Sequence, residues 1–306
     1  MESAGSASPS PPGAFEAFSA LASSNSSFLT SPTSGAYVRE LEDKGLAFDT
    51  IRLRLFPIKA TWKLVSENHP DLVRPLPRIK LAAPAPREIE CLDSEEVDAL
   101  LGWLRENARD VWPIATLQAL SGLRKLEATA LRIQDVDFDE ETVNVTGTGH
   151  HKPKNNASWR TIPICGESVE ALRVAATEQK LRPVTGELLV NRIGNLWTSD
   201  RITRRTTDVF RQAAEALGNP RIATIPSRKL RASFATTAGR MGVSSDVLRR
   251  YLGHTGGSVL NEHYRRIDLD ELRLVSDAIE RRKALAKKAS GWKDPGNSAQ
   301  REHASL

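Results

Sequence analysis

The chain has 306 residues, with 43 Lys and Arg against 38 Asp and Glu, a net charge of +5. That length accommodates two domains and a sizeable core; the small positive excess is a weak argument for nucleic acid on its own. No apolar run nears the ~18 residues of a membrane span, and the cysteines, Cys91 and Cys165, are far apart without metal-ligand spacing, so they read as buried or half-buried thiols in a reducing compartment.

Residues 1–35 are rich in Ser, Ala, Pro and Gly and are expected to be disordered or partly helical. AFEAFSALA (14–22) is a candidate short helix there, or a helix that docks on a neighbouring subunit. The basic and apolar blocks of a signal peptide are missing, so a cytoplasmic location is expected. Residues 36–75 read as a small helical module. TSGAYVRELEDKGL predicts one helix ending near Gly45, and FDTIRLRLFPIKATWKLVSENH a second, with Thr50 as cap and Pro57 as a kink or break. Ile51, Leu55, Ile58, Trp62 and Leu64 approximate its apolar face, while Arg52, Arg54, Lys59 and Lys63 lie mostly elsewhere. Residues 76–90 carry three prolines and form a linker.

A second domain begins near Cys91. Asp93 or Ser94 caps a helix whose buried face is Leu92, Val97, Leu100, Leu101 and Leu104. VWPIATLQALSGLR predicts another helix, interrupted at Gly122, where a tight backbone turn swings Arg124 inward. TVNVTG (142–147) and RTIPI (160–164) alternate as strands around a polar, basic loop, TGHHKPKNNASW, which suggests a hairpin. An amphipathic helix over ESVEALRVAATEQK, an extended piece at 188–191 and a helix over TSDRITRRTTDVFRQAAEAL follow. The chain then reaches RKLRASFATTAGRMGVSSDVLRRYLGHTGGSVLNEHY (228–264). Arg231 opens a helix carrying Phe234 and Ala238. Ser244 caps a second, with Leu248, Tyr251 and Leu252 as its stripe and Gly253 as its stop. LDELRLVSDAIERRKALAKK is a last helix, whose Leu269, Leu272, Leu274, Val275 and Ile279 have no obvious partner. The elements predict a mainly α chain with a small antiparallel β-sheet, an α+β class.

RKLRASFAT, then YLGH, then Tyr264 resemble the C-terminal signature of the tyrosine recombinases, or phage-type integrases. SGLRKLEATALRIQDVDF (121–138) is similar to their first arginine box, with Arg124 in the catalytic slot and Glu127 as its companion. Three motifs in order over about 145 residues make the resemblance specific, and with looser matches it extends over roughly 35–285. It implies a helical core-binding domain at 36–75 that clamps DNA and a catalytic domain at 91–267. The C-terminal helix and tail, 268–306, become a candidate contact with the next protomer.

The chemistry explains the residue types. A phenol with pKa near 10 is a poor nucleophile at neutral pH, and nearby cations favour its phenolate. Two guanidiniums can clamp the charge spreading over the non-bridging oxygens of a phosphodiester transition state. A lysine can protonate the leaving oxygen, and an imidazole can bind the phosphate or relay a proton. The resemblance thus implies Tyr264 as nucleophile, Arg124 and Arg231 as clamps, His254 on the phosphate and Lys154 as acid, with Lys152 the alternative. Arg228 stands where the family has histidine, and it cannot act as an acid–base near neutral pH; Lys229 is a substitute if the helix start shifts. Tyr251, on the apolar stripe, reads as core. Arg52, Lys59, Lys63, Lys152, Arg204 and Arg205 are candidate DNA contacts. The expected partners are double-stranded DNA, further copies of the chain as a tetramer on paired sites, and partner recombinases or DNA-bending proteins. No membrane, cofactor or metal is expected, and the location would be nucleoid-associated.

Overall fold

The computed structural model describes residues 31–70, 81, 89–146, 159–179, 186–254 and 267–289. The chain divides into two compact units, Met1–Glu88 and Ile89–Leu306.

In the first unit, helices α1 (Ser31–Asp43) and α2 (Phe48–Asn68) are joined by a turn at Gly45, whose φ of +68° suits glycine. Their core is Val38, Leu41, Ile51 and Leu55, with Tyr37, Leu46 and Leu81 packed against it. Three expectations for α2 are corrected. Its N-cap is Ala47, so Thr50 lies inside the first turn. Pro57 does not break the helix, which runs through it; Pro57 and Leu53, the residue that loses its hydrogen-bond donor, are both exposed, so water can take the donor's place. The buried face contracts to Ile51 and Leu55, leaving Ile58 42% and Leu64 60% exposed. With 13 residues against 21, α1 is about 12 Å too short to follow α2 to its end.

The second unit is built around α4 (Trp112–Leu120), in which every residue is buried. Before it, α3 (Ser94–Asn107) opens with a reciprocal cap: Asp93 accepts from the Glu96 amide and Glu96 from the Asp93 amide, both at 2.9 Å. Its expected face, Val97, Leu100, Leu101 and Leu104, is buried. After α4 come α5 (Lys125–Thr129), a 3-10 turn at Ile133–Asp135 and a three-stranded antiparallel sheet in the order β1 (Val136–Asp137), β2 (Thr142–Val145), β3 (Arg160–Pro163). Val143 pairs with Ile162 and Val145 with Arg160. With two residues, β1 is too short to show alternation in the sequence. Helix α6 (Gly166–Gln179) follows; the extended piece at 188–191 is held by isolated bridges from Glu187 to Arg132 and from Val190 to Leu196.

Helix α7 (Ser199–Ala216) is capped by Thr198. A short helix α8 (Pro220–Thr224) and a 3-10 turn, Ser227–Lys229, then lead into α9 (Leu230–Arg240) and α10 (Ser245–Leu252). Both α9 and α6 pack on α4. The last helix, α11 (Leu269–Ala289), corrects an expectation. Its apolar face has a partner in its own unit, for Leu272, Val275, Ala278 and Ile279 are buried there and the helix packs on β3, α9 and α10. Charged anchors reinforce the docking: Arg282 binds both carboxylate oxygens of Asp98, Lys283 meets Glu167, and Glu280 accepts from the Gly166 amide at 2.6 Å. No helix among the described residues is long and apolar enough to cross a membrane.

Candidate active site

Two structural acceptors gather the arginines of this chain. The first is Glu127, whose side chain is 2% exposed. It sits three residues after Arg124 on α5 and accepts from the Arg124 amide at 2.8 Å and from Arg124 Nη1 at 2.5 Å. From β3, Arg160 Nη2 donates to the same carboxylate at 3.0 Å; from α9, Arg231 Nη1 lies 3.7 Å away. Burial works to raise the Glu127 pKa, but the charge and hydrogen bonds of Arg160, followed by the bonds from Arg124, hold it at about 2.

The second acceptor is the C-terminal end of α10. A helix leaves its last carbonyls unpaired, at the negative end of its dipole. Here Gly253 turns the chain with φ of +66°, and the last carbonyls are shared among three guanidiniums. Arg160 Nε donates to Tyr251 O at 2.7 Å and Arg231 Nη2 to Leu252 O at 2.6 Å; Arg124 Nη2 reaches Gly253 O at 3.5 Å. Arg231 also donates to Gly122 O at 2.5 Å. Gly122 has φ of +59°, and a Cβ there would lie 2.6 Å from the Phe234 ring and 2.7 Å from Leu252. Only glycine lets α4, α9 and α10 close around Arg124 in this way.

His254 follows this helix end. Its Nε2 lies 3.0 Å from Arg231 Nη2. A guanidinium only donates, so Nε2 accepts and the ring proton sits on Nδ1. Burial, then Arg231 and Arg124, lower the His254 pKa, so the imidazole is neutral at pH 7. Burial and Arg124 also pull Arg231 down, to about 9, where it keeps its proton at neutral pH. Three guanidiniums against one carboxylate leave the cluster positive. Arg124 is 34% exposed, Arg231 12% and Arg160 3%. The outward-facing side is therefore Arg124, Arg231 and the exposed His254, a shape that suits an anion.

The structure thus brings together Arg124, Arg231 and His254. Arg228 lies on the 3-10 turn before α9, exposed, with no hydrogen bond or ion pair among the described residues. It acts on Lys125: burial, then Arg228, lower the lysine's pKa, and Lys125 bonds Thr203 on α7. Lys229 is half-buried. Lys152, Lys154 and Tyr264 lie outside the described residues. Tyr251 is fully buried in the core, donates to Pro163 O at 2.6 Å and stacks on Phe234; burial pushes its phenol pKa far up.

Among the DNA-contact candidates, Arg205 is half-buried and paired. Its Nε and Nη2 are committed to Asp110 at 2.9 and 3.0 Å, and the Asp110 side chain is 7% exposed, so the pair ties α7 to the start of α4. Arg204 remains exposed. In the first unit Arg52 and Lys63 are exposed beside Asp49 and Glu67, at 3.6 and 3.7 Å, while Lys59 is half-buried. Among the described residues no group of three or more His, Cys, Asp or Glu is placed to hold a metal ion.

Arg160, expected from the sequence only as the first residue of a strand, is the member of the cluster that no motif pointed to. The signal was present: in a strand, alternate residues share a face, and Arg160 alternates with the buried Ile162.

A family model described as the phage integrase family matches residues 90–271, more than half of the chain. The chain belongs to that family. Among curated relatives, the prophage integrase IntF of Escherichia coli K12 is 28% identical over 195 residues. The match takes in 62% of this chain and 38% of that integrase, so the chain spans well under half the length of the curated relative. Among solved structures, the Tn1549 transposon integrase in complex with a circular intermediate DNA superposes with a TM-score of 0.66 at 17% identity, over 80% of this chain and 84% of the other. The XerH site-specific recombinase, bound to its difH substrate in a pre-cleavage complex, gives 0.55 at 16% identity, over 86% and 73%. At such identities the likeness is one of fold, and it agrees with the mainly α, α+β architecture expected from the sequence.

Proposed function

We propose that this integrase-family chain is a site-specific DNA recombinase. Tyr264 attacks a scissile phosphate, forming a 3′-phosphotyrosyl bond and freeing a 5′-hydroxyl. That hydroxyl then attacks the phosphotyrosyl bond of a partner duplex, which conserves bond energy and exchanges strands through a four-way junction. Arg124 and Arg231 hold the non-bridging oxygens, where transition-state charge accumulates. His254, neutral with its proton on Nδ1, bonds the phosphate once Arg231 turns toward it. Lys154, or Lys152 in its place, protonates the leaving oxygen. Arg228 adds positive charge but no proton transfer. The chemistry draws on neither metal nor ATP, since the charge stabilisation comes from guanidiniums and the bond energy is stored in the phosphotyrosine.

The observation that carries this reading is the convergence of Arg124, Arg231 and His254 on one outward-facing site, from α5, α9 and the end of α10. A protein that only bound DNA would have no need of so exact a cluster. The exposed cation at Arg228 favours one second reading, a type IB topoisomerase-like enzyme that nicks and reseals as a monomer. We further propose the domain roles: DNA clamping by the helical module at 36–75 through Arg52, Lys59 and Lys63, catalysis by the unit after the 76–90 linker, and Arg204 on the catalytic side of the DNA. The partners would be double-stranded DNA and other copies of the chain, as a tetramer on paired sites, with accessory DNA-bending proteins or partner recombinases, in the nucleoid.

The deciding experiment incubates the protein with a nicked suicide duplex carrying its site and resolves covalent adducts on a denaturing gel. An adduct is expected. Its absence would remove both enzymatic readings, leaving a DNA-binding role. Strand exchange between two duplexes, against relaxation of any supercoiled plasmid, separates the recombinase from the topoisomerase.

A further inference from the structure

Arg160 is too deep to touch DNA, yet it hydrogen-bonds both acceptors that organise the site. Its side chain is 3% exposed; it donates to Glu127 at 3.0 Å and to Tyr251 O at 2.7 Å. The ionisable groups facing Glu127 are Arg124 at the head of α5, Arg160 on β3 and Arg231 on α9. Without Arg160, the buried carboxylate would have, among the described residues, only Arg124 and Arg231 as counter-ions. Those are the two guanidiniums on the open side. Their pull on an anion would then be partly cancelled from behind.

We infer that Arg160 is a positioning residue that neutralises Glu127 from the protein interior, so that Arg124 and Arg231 meet the phosphate with their charge undiminished. The same side chain fixes where they stand, because Glu127 and the end of α10 are the two acceptors that hold them and Arg160 binds both. Its place on β3 gives this a further consequence. Tyr251 donates to Pro163 O on that strand, so β3 and the helix leading to His254 are fastened together at two points. The strand that follows the Lys152–Lys154 loop thus shares one framework with the histidine. This assignment rests on the recombinase reading for its catalytic consequence.

The test uses full-length Arg160→Gln, Arg160→Lys, Glu127→Gln and the double variant Arg160→Gln/Glu127→Gln. It measures single-turnover adduct formation on the nicked suicide duplex, and separately DNA affinity. Arg160→Gln is expected to slow adduct formation by roughly 100-fold, with DNA affinity within about threefold, since the loss falls on the transition state rather than on the many phosphate contacts of the complex. Removing the unbalanced carboxylate in the double variant is expected to recover about tenfold or more of that rate, which a residue that merely braces the fold would not show. In Arg160→Gln the Glu127 pKa rises, and protonation of the carboxyl relieves the imbalance. The ratio of variant to wild-type rate should therefore climb as pH falls.

Arg160→Lys keeps the charge but not the fork that spans both acceptors, so it is expected to cleave at a rate between those of Arg160→Gln and wild type, and it covers the case in which Arg160→Gln does not fold. The inference is overturned if the double variant is no faster than Arg160→Gln, if Arg160→Gln cleaves within about threefold of wild type, or if folded Arg160→Lys is as slow as Arg160→Gln. Side-chain NMR of the Arg124 and Arg231 Nε–H groups supplies an arm independent of cleavage. Their signals should move in Arg160→Gln and return in the double variant. Should wild type form no adduct, the recombinase reading falls while this arm still decides the role of Arg160; unmoved signals overturn it.

Discussion

The second unit buries a continuous core from Leu92 to Ile279, whereas among the described residues the core of the first has four buried side chains, Val38, Leu41, Ile51 and Leu55. In the second unit the apolar faces read from the sequence are mostly covered, with Leu274 of the last helix the exception at 53% exposed. In the first, Leu53 is 69% exposed, Phe56 70% and Leu64 60%. The contrast shows where precision is built in. The unit that holds the arginine cluster has the packing to hold guanidiniums together against the repulsion of like charges. Among its described residues the helical hairpin has no buried charge to hold and only a small core.

The largest expected effect tests the function of the second unit directly. Tyr264→Phe should abolish adduct formation on the suicide duplex, because neither other tyrosine is placed to replace it: Tyr251 is fully buried with its hydroxyl engaged by Pro163, and Tyr37 packs on the small core of the first unit. An adduct of undiminished yield would move the nucleophile elsewhere. DNA affinity in a filter or fluorescence assay should be nearly unchanged.

Packing comes next. Phe234→Ala removes a ring buried between Gly122 and Tyr251 and should cost the second unit about 3–5 kcal/mol in denaturant unfolding. Phe56→Ala, on the open face of α2, should cost under about 1 kcal/mol in the same assay. Equal effects would mean that a surface outside the described residues covers Phe56, and the contrast between the units would disappear.

A pH titration sharpens the comparison from the electrostatic side. Glu127 has its pKa depressed from 4.5 to about 2, so the folded state binds its proton less readily than the unfolded chain. Its stabilisation is full above about pH 4.5 and is lost as pH falls toward about 2, amounting to on the order of 3 kcal/mol. The second unit should therefore lose stability through that window in wild type and much less in Glu127→Gln. No such buried carboxylate lies among the described residues of the first unit, so its signal should not follow this pattern.

These contrasts also explain what could be read beforehand. Helix caps and stops are local chemistry, so Asp93, Ser244, Gly45 and Gly253 were legible as punctuation. The buried faces of α3 and α10 followed from periodicity. Arg124, Arg231 and His254 were legible through their motifs. What escaped was tertiary. Nothing local reveals that the tip of α10 would offer its carbonyls to three arginines from three elements, or that Arg205 would be claimed by Asp110, 95 positions away. The continuity of α2 through Pro57 depends on solvent reaching that turn, and the cis docking of α11 depends on where β3 and α10 lie.

The smallest expected effect lies on the first unit and distinguishes a clamp from an ordinary solvated helix. Arg52 and Lys63 are two-thirds or more exposed, and their ion pairs with Asp49 and Glu67 are loose. Replacing either by Gln should change stability by no more than about 0.5 kcal/mol. If they meet phosphates, each replacement still releases one fewer counterion on binding, so the slope of log affinity against log salt should fall by roughly one unit per residue. Stability would register almost nothing while the salt slope moves. An unchanged slope would make these side chains solvated charges and shift the DNA contact onto the unit that holds Arg124 and Arg231.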